Sequence, residues 1–352
     1  MGRYIIRRLI YMLAVLLTVS AITCRLARTR PGGPFDSEKR LPEETIKNLE
    51  KAYNLDEPLI VQYKNYLNDV LIPKINTEPP DESSVAVDYL INIKIGKVWL
   101  KWMNFGPSYV SRSRSVADII DQQFPVSLQL GILALLVAVI IGLPLRIIAT
   151  LKQNTLWDYL SMGIAIIGVS VPVIFLGPVL VRAFGIQVHW LPPTGWGSRP
   201  PYWLGFIPRE LGWDYFKYTI MPAFALGTGS SAVIARLSRA SLLQVLGEDY
   251  ITTARAKGLK ERLVITRHAM RNAMIPVVTV FGPLFAAVVT GSFVTEQIFG
   301  IPGMGKYFIT SISNRDYPVI MGTILLYVII LIFANLFVDI TYAFLDPRIR
   351  YE

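Results

Sequence analysis

The amino-acid sequence predicts an all-α, polytopic membrane protein with six transmembrane helices and cytoplasmic N and C termini. Hydrophobic residues make up 53% of the chain and charged residues 17%, and the mean hydropathy is +0.44. This composition is typical of membrane proteins rather than soluble ones. The chain also contains six uncharged apolar runs, at residues 9–24, 122–145, 159–181, 218–235, 272–295 and 317–338.

The lengths of these runs support one membrane span each. All but the first reach the roughly 18–20 residues needed to cross the hydrocarbon core. The first is shorter, but Arg7, Arg8 and Arg25 flank it, and long basic side chains can reach the interface from within a span. Since no small-residue cleavage site follows it cleanly, we expect a retained anchor rather than a removed signal peptide.

The distribution of basic residues predicts the orientation. With the N terminus inside, the inner segments carry 15 Lys and Arg residues against 5 Asp and Glu residues; these segments are 1–8, 146–157, 236–271 and 344–352. The excess of cations on one face follows the positive-inside rule. It accounts for most of the net charge of +10 without nucleic-acid binding, so we expect the lipid bilayer, and no nucleic acid, as a partner.

The apolar runs divide the chain into three parts. Residues 1–28 form the N-terminal cytoplasmic end and transmembrane helix 1, and residues 29–121 form an extracytoplasmic subdomain. Residues 122–352 form a core with five transmembrane helices and a cytoplasmic loop at 240–273.

Three extramembrane stretches have a recognisable pattern. Residues 41–55 have apolar side chains at helical spacing and predict an amphipathic helix. Residues 89–105 alternate aromatic and basic side chains, which favours an interfacial packing element, with a lipid-headgroup contact or a short strand pair as the alternatives. The loop 185–217 is rich in Trp, Pro and Gly; it is interpreted as a membrane-interface belt, with a substrate entrance as the alternative.

No catalytic or metal-binding pattern accompanies these spans. The two histidines, His189 and His268, lack a partner at metal-ligand spacing, and Cys24 is the one cysteine. Residues 300–306 fit G-x-x-x-x-G-K, but Tyr307 stands where a phosphate loop needs Ser or Thr, and the charge pattern places this turn outside the cell. We therefore expect no cofactor on this chain.

The stretch from Glu248 to Pro276, called here the basic segment, is the strongest functional signal. Its first eleven residues contain helix formers and end at Gly258, a common helix stop. Small residues among the cations would let another protein approach the backbone closely. The alternative is a solvated positive-inside loop, which explains the charges but not the Ala/Gly pattern.

The basic segment, DYITTARAKGLKERLVITRHAMRNAMIP, resembles the EAA loop of ABC-importer permeases, in the B-type form of oligopeptide and dipeptide uptake systems. The general family motif is E-A-A, three residues, Gly, nine residues and I-x-L-P. When its Gly is aligned on Gly258, the E-A-A triplet falls on residues 252–254 and the I-x-L-P quartet on residues 268–271. The Glu, first Ala and Pro of the general motif are absent, as in the peptide branch. Further stretches similar to the family cover nearly the whole chain; they include RYIIRRL, PGGP, FPVSLQLG, NRDYPVIMGT and DPRIRY. The polar stretch at 72–103 is longer than in the family.

The resemblance implies a type I ABC-importer permease in the bacterial plasma (inner) membrane that translocates oligopeptides or dipeptides. An extracytoplasmic binding protein would deliver the substrate. A homologous second permease would complete the path, and two ATP-binding cassette ATPase subunits would hold ATP and Mg²⁺. The family's coupling helix contacts the ATPase, which implies this role for Tyr250, Thr253, Ala254, Arg255, Ala256, Lys257, Gly258, Leu259 and His268.

Two alternatives stay open. The same role could serve a nickel chelate, glutathione or an oligosaccharide. A stand-alone secondary transporter is disfavoured, because such proteins use ionisable residues midway through the membrane, whereas Arg182, Glu296 and Asp339 lie near the ends of the predicted spans. The sequence does not identify the residues that line the substrate path. Pro172, Pro222 and Gly227 are interpreted as helix-packing positions.

Overall fold

A computed structural model describes residues 2–29, 33–35, 42–77, 88–111, 113–151, 155–156, 159–160, 163, 168, 171–290 and 292–345. Helices predominate in these ranges, as the sequence predicts. The chain divides into two compact units. The first, called the inner-helix unit, comprises Met1–Ile5, Val126–Pro302 and Ile330–Glu352. The second, called the sheet unit, comprises Ile6–Pro125 and Gly303–Ile329.

The sheet unit combines helices with a small antiparallel sheet of order β1-β3-β2. Its first elements along the chain are α1 (Gly2–Arg28), α2 (Glu43–Ala52), α3 (Leu59–Leu71), β1 (Lys74–Asn76), β2 (Ile91–Ile95), β3 (Val98–Trp102) and the start of α4 (Val116–Leu151). The helix Met304–Asn314 and the start of the helix Tyr317–Leu345 also belong to it. The amphipathic helix predicted at 41–55 is present as α2. The pairing of β2 with β3 confirms the strand-pair alternative for residues 89–105.

The further helices whose bounds the structure describes follow α4 in the chain. They are α5 (Val173–Leu180), α6 (Trp213–Leu246), α7 (Asp249–Ala256), α8 (Glu261–Leu263), α9 (Met270–Ala273), α10 (Ile275–Thr290), α11 (Phe293–Phe299), α12 (Met304–Asn314) and α13 (Tyr317–Leu345). Two π-helical stretches, Val181–Gln187 and Val264–Ala269, extend α5 and α8.

Among the residues that the structure describes, four helices are long and apolar enough to cross a membrane. Their spans are Ile10–Arg28, Val116–Pro144, Trp213–Leu246 and Tyr317–Thr341. Glu261–Ala273 and Ile275–Thr290, which meet at a 50° bend, pass the same test only when they are taken together as one span. Eight of the 23 residues in the run predicted at 159–181 lie outside the described residues, and Val173–Gln187 is a shorter apolar helix. The number of six spans and the cytoplasmic termini therefore stay predictions.

Small residues bring α4 and α6 close together within the inner-helix unit. A Cβ atom on Gly142 would lie 2.7 Å from the Ser231 carbonyl oxygen, and one on Gly227 would overlap the Ala134 carbonyl oxygen. Close backbone approach at small residues is the usual means of helix association in a bilayer. Gly227 is thus a packing position, as the sequence analysis favours.

The sheet unit is held by a polar cluster at the start of α13. The buried Asp316 carboxylate accepts hydrogen bonds from the Ser108 hydroxyl at 2.5 Å and from the backbone N–H groups of Tyr109 and Val110. These bonds fix the loop that precedes α4. Nearby, the apolar core gathers Val70, Phe105, Val116, Ile119 and Leu325.

The loop 188–212, called here the outer loop, is fastened to α4 through Gln129. The buried Gln129 carboxamide donates to the Phe206 carbonyl oxygen at 2.7 Å. Its oxygen accepts from the Ser198 hydroxyl at 2.8 Å and from the Trp196 indole N–H at 3.1 Å. One side chain therefore satisfies several polar groups of the loop.

Candidate functional site: the basic segment

The basic segment follows directly from the long helix α6. At about 1.5 Å per residue, the 34 residues of α6 extend about 51 Å, further than the roughly 30 Å hydrocarbon core. The end of α6 therefore projects beyond the bilayer and carries the short helix α7 with it. The helix predicted over 248–258 is present as α7, one residue shorter at its start.

Helix α7 buries one face against the chain's own core. Ile251 is fully buried and Ala254 is 6% exposed. These residues form an apolar cluster with residues from α6, the π-helical stretch and α9, which we call the inner cluster; its other members are Leu242, Val264, Ala269 and Ala273. Full burial of a side chain such as Ile251 contributes about 1.5–3 kcal/mol. Packing, and not helix propensity alone, thus holds this eight-residue helix in place.

The opposite face of α7 is exposed. Thr253 and Ala256 lie on it, and both are open to solvent. They stand on the side of the helix away from Ile251 and Ala254, as the 3.6-residue period requires. A small side chain at Ala256 leaves the helix backbone accessible to a partner surface. We call this the outer face of α7.

Gly258 ends the helix in a left-handed conformation. Its φ is +76°, and the backbone N–H groups of Gly258 and Leu259 return to the carbonyl oxygens of Arg255 and Ala254. This pair of bonds is the Schellman motif, in which glycine avoids the steric cost of a Cβ. A Cβ on Gly258 would meet nothing within 4 Å. Within this chain, the glycine is therefore needed for its backbone angle and not for space.

Arg255 is engaged by a residue of its own chain. Its guanidinium donates two hydrogen bonds to the Glu261 carboxylate, at 2.7 and 3.2 Å, across the turn at Gly258. These hydrogen bonds raise the pKa of Arg255 further above its ordinary value. The bidentate geometry fixes α8 relative to α7. Lys257, by contrast, is exposed two residues further on.

Tyr250 and His268 lie beside the outer face. The Tyr250 hydroxyl, on a side chain that is 40% exposed, accepts a hydrogen bond of 2.8 Å from the Asn272 carboxamide. His268 is half-buried in the π-helical stretch that packs against α7. Tyr250 thus links α7 to the bent pair of helices that follows, in which His268 lies.

The bend itself follows from Pro276 at the start of α10. Proline has no N–H, and its ring opposes the helical hydrogen bond to the residue four positions earlier. The helix is therefore interrupted between Ala273 and Ile275, where the 50° change of direction occurs. This break separates the part of the basic segment packed under α7 from the apolar helix α10.

The structure separates the nine residues predicted to contact an ATPase into groups. Thr253 and Ala256 form the outer face, while Ala254 points into the inner cluster. Those that flank the face or follow it in the turn are Tyr250, Lys257, Gly258 and Leu259. Arg255 is held by Glu261, and His268 lies on the supporting stretch. Ala254 is therefore one of the residues that hold α7 in place. A bulky residue there would disturb the folding of the segment itself, and not only its docking to a partner.

Sequence reasoning missed the residues that support the site. Glu261 and Asn272 bind Arg255 and Tyr250 across a glycine turn and a helix break, where helical spacing rules do not apply. Ile251 and Val264 could have indicated the supporting face, because both are β-branched apolar residues within a charged segment. Their burial separates the supporting face of α7 from its outer face.

Two family models match the sequence. The model described as "Binding-protein-dependent transport system inner membrane component" covers residues 138–351, and the N-terminal model of the same transport systems covers residues 1–131. The chain belongs to this family of inner-membrane permeases. The basic segment lies within the larger match, so its helix, turn and bend are parts of the permease fold.

Two relatives indicate which branch of this permease family the chain resembles. The dipeptide transport system permease protein DppB of Bacillus subtilis (strain 168) is 41% identical over 99% of this chain and 98% of its own length. The oligopeptide transport system permease protein OppB of Escherichia coli (strain K12) is 37% identical over the full length of both chains. The MetNI methionine ABC transporter aligns with a TM-score of 0.48 at 15% identity, covering 64% of this chain and 94% of that one.

These relationships confirm the resemblance found in the sequence. The chain is a multi-pass permease subunit of the bacterial inner membrane, of the ABC-importer type, and is similar to oligopeptide and dipeptide permeases. The relatives are named as transport permeases. Gly300 caps α11 with a φ of +60°, and Lys306 is the third residue of α12.

Proposed function

We propose that this permease translocates oligopeptides or dipeptides in an importer driven by ATP hydrolysis on partner subunits. The names of its relatives support a peptide substrate. In this proposal an extracytoplasmic binding protein delivers the peptide, and a homologous second permease lines the other half of the path. Two ATPase subunits bind ATP and Mg²⁺, and this chain binds neither.

The observation that carries the mechanism is the packing of α7. Its inner face is joined through Ile251 to Leu242 of α6 and to Val264 of the following stretch. A force applied to the outer face would therefore move α6 and the bent pair of helices together, because packed elements shift between discrete arrangements rather than deforming smoothly. In the proposed cycle, closure of the ATPases moves α7, and the attached spans change from inward-open to outward-open.

Uptake of labelled peptides tests the proposal. The complete importer is expressed in cells that lack peptide importers of their own, with either wild-type permease or the Ala256→Trp variant. Because Ala256 is exposed, tryptophan there should leave the permease folded while blocking the docking surface. We expect uptake to fall at least tenfold at an unchanged membrane level. Gln244→Trp, at an exposed position on the end of α6, is the matched control.

Two results would contradict the proposal in different ways. Normal uptake by Ala256→Trp would mean that the outer face of α7 is not the docking surface. Cells with the intact importer that take up another solute but no peptide would refute the peptide assignment and leave the coupling role in place.

A further inference from the structure

Two cavities adjoin each other in the sheet unit. The first, called the polar chamber, has a volume of about 320 Å³ and lies among the end of α1, helices α2 and α3, and the start of α13. The second, called the apolar groove, has a volume of about 330 Å³ and lies among α1, α12 and α13. Ala27 and Tyr317 line both, so the cavities meet at these two side chains.

The apolar groove lies at the ends of two candidate membrane spans. Its walls include Leu26 at the end of α1 and Ile320 and Ile324 near the start of α13. In a multi-pass membrane protein, the apolar material available at such a place is lipid. The groove can therefore take a hydrocarbon chain, because such a chain has no polar group that needs a hydrogen-bond partner.

The polar chamber contains an unsatisfied hydroxyl group. The Tyr66 oxygen is buried and makes no hydrogen bond, whereas neighbouring Tyr63 is bonded to Ser20 and to the Leu17 carbonyl oxygen. Burial raises the pKa of Tyr66 well above its ordinary value, so the group stays protonated and can donate. A buried hydroxyl without a partner is unfavourable, and an acceptor oxygen of a ligand would satisfy it.

Charges of both signs line the chamber. The Arg28 guanidinium stands 5.3 Å from the centre of the Tyr317 ring, at the junction with the apolar groove. Arg28 is suited to a phosphate, because its fork of N–H groups matches phosphate oxygens. Glu57 lines the same chamber, and Asp69 is paired with Lys74 at 2.8 Å. Arg28 and Glu57 together therefore complement a zwitterion.

We propose that the polar chamber and the apolar groove hold one phospholipid with an ethanolamine headgroup. Its phosphate would accept from Arg28 and Tyr66, its ammonium would face Glu57, and one acyl chain would fill the groove. A chamber of about 320 Å³ is within the range of small-ligand sites. Both Arg28 and Tyr317 lie at span ends that the charge pattern places outside, so the lipid belongs to the outer leaflet. The site is separate from the peptide-coupling role of the basic segment.

Lipid retention by the full-length protein tests the proposal. The chain is reconstituted in nanodiscs with equal amounts of dioleoyl phosphatidylethanolamine and dioleoyl phosphatidylglycerol, and native mass spectrometry counts the lipids that remain after release. We expect one retained phosphatidylethanolamine per chain. Arg28→Gln should lower retention about tenfold, since a charge-assisted bond is lost. Arg25→Gln, one turn earlier on α1 and outside both cavities, should retain lipid like the wild type.

Two further variants separate the parts of the site. Tyr66→Phe keeps the ring and removes only the hydroxyl, so it should fold normally and lower retention about threefold. Ile324→Trp fills the groove and should lower retention with the headgroup contacts intact. Equal retention by Arg28→Gln and Arg25→Gln would overturn the proposal, as would equal binding of phosphatidylglycerol. Complete displacement by millimolar O-phosphoethanolamine would also overturn it, because the site would then take a soluble headgroup without a lipid tail.

Discussion

The basic segment and the outer loop, both in the inner-helix unit, are fixed by opposite kinds of interaction. The basic segment rests on the inner cluster, in which apolar side chains such as Ile251 and Val264 are fully buried. The outer loop rests on a polar hub, in which Gln129 alone bonds to Trp196, Ser198 and Phe206. The basic segment thus depends on several apolar side chains, whereas the side-chain hydrogen bonds between the outer loop and α4 depend on one residue.

The difference bears on what each region can do. A helix attached by distributed packing moves as one body with its supports, and its outer face stays free for a partner. The outer loop is also held by a backbone hydrogen bond from Gly195 to the Phe299 carbonyl oxygen and by apolar packing of Leu191 and Trp196. The basic segment is therefore suited to transmit movement, and the outer loop is suited to hold a fixed surface whose polar contacts to α4 depend on Gln129.

The largest expected effect comes from placing a charge in the inner cluster. Ile251→Asp buries a carboxylate at a fully buried position, which should destabilise the segment by about 4 kcal/mol or more. We expect the full-length protein to be degraded, and immunoblots of membranes would measure this loss. Thr252→Asp, at the exposed neighbouring position, should accumulate normally. Similar levels of the two variants would show that the inner cluster does not support α7.

Removing the polar hub should have the next largest effect. Gln129→Ala leaves the Trp196 N–H and the Ser198 hydroxyl without their acceptor, at a cost of about 3 kcal/mol. Hydrogen–deuterium exchange of the outer loop should accelerate about a hundredfold, while exchange in the basic segment should not change. Gln122→Ala, at an exposed position on α4, is the control. Unchanged exchange of the outer loop in Gln129→Ala would contradict the single-hub description.

The Arg255–Glu261 pair should affect transport more than stability. Both side chains are well exposed, so the ion pair contributes little to folding. Arg255→Glu should reduce peptide uptake several-fold because it releases the turn after α7, and adding Glu261→Arg should restore uptake by reversing the pair. If the double variant is as inactive as the single one, Arg255 contacts a partner directly and does not act by positioning α7.

Substitution of Gly258 should have the smallest effect on folding. An alanine there keeps a left-handed backbone at a cost of about 1 kcal/mol, with no steric clash inside the chain. Asparagine tolerates this conformation better and should cost less. Thermal unfolding would measure both. Should Gly258→Asn unfold like the wild type yet lose uptake, the glycine would be required for space against the partner instead of for its backbone angle.

Sequence reasoning predicted the positions of the helices better than the side-chain contacts that hold them in place. Helical periodicity and a terminal glycine located α7, and a long apolar run located α6, because both signals are local. The inward position of Ala254 could not be predicted, since both faces of α7 carry small residues and only the packing of Val264 and Leu242 selects one. Likewise, Gln129 lies in an apolar run, and its bonds join residues 67 to 77 positions away.

Cross-linking from the outer face of α7 tests the central claim most directly. In a Cys24→Ser background, Ala256→Cys and Gln244→Cys are each introduced into the permease of the assembled importer, and a short thiol-to-amine cross-linker is applied. The account predicts that Ala256→Cys forms a cross-link to an ATPase subunit whose yield changes when ATP is bound, while Gln244→Cys gives little product. Equal yields from the two positions, or no product from Ala256→Cys, would contradict the docking of α7 on the ATPase.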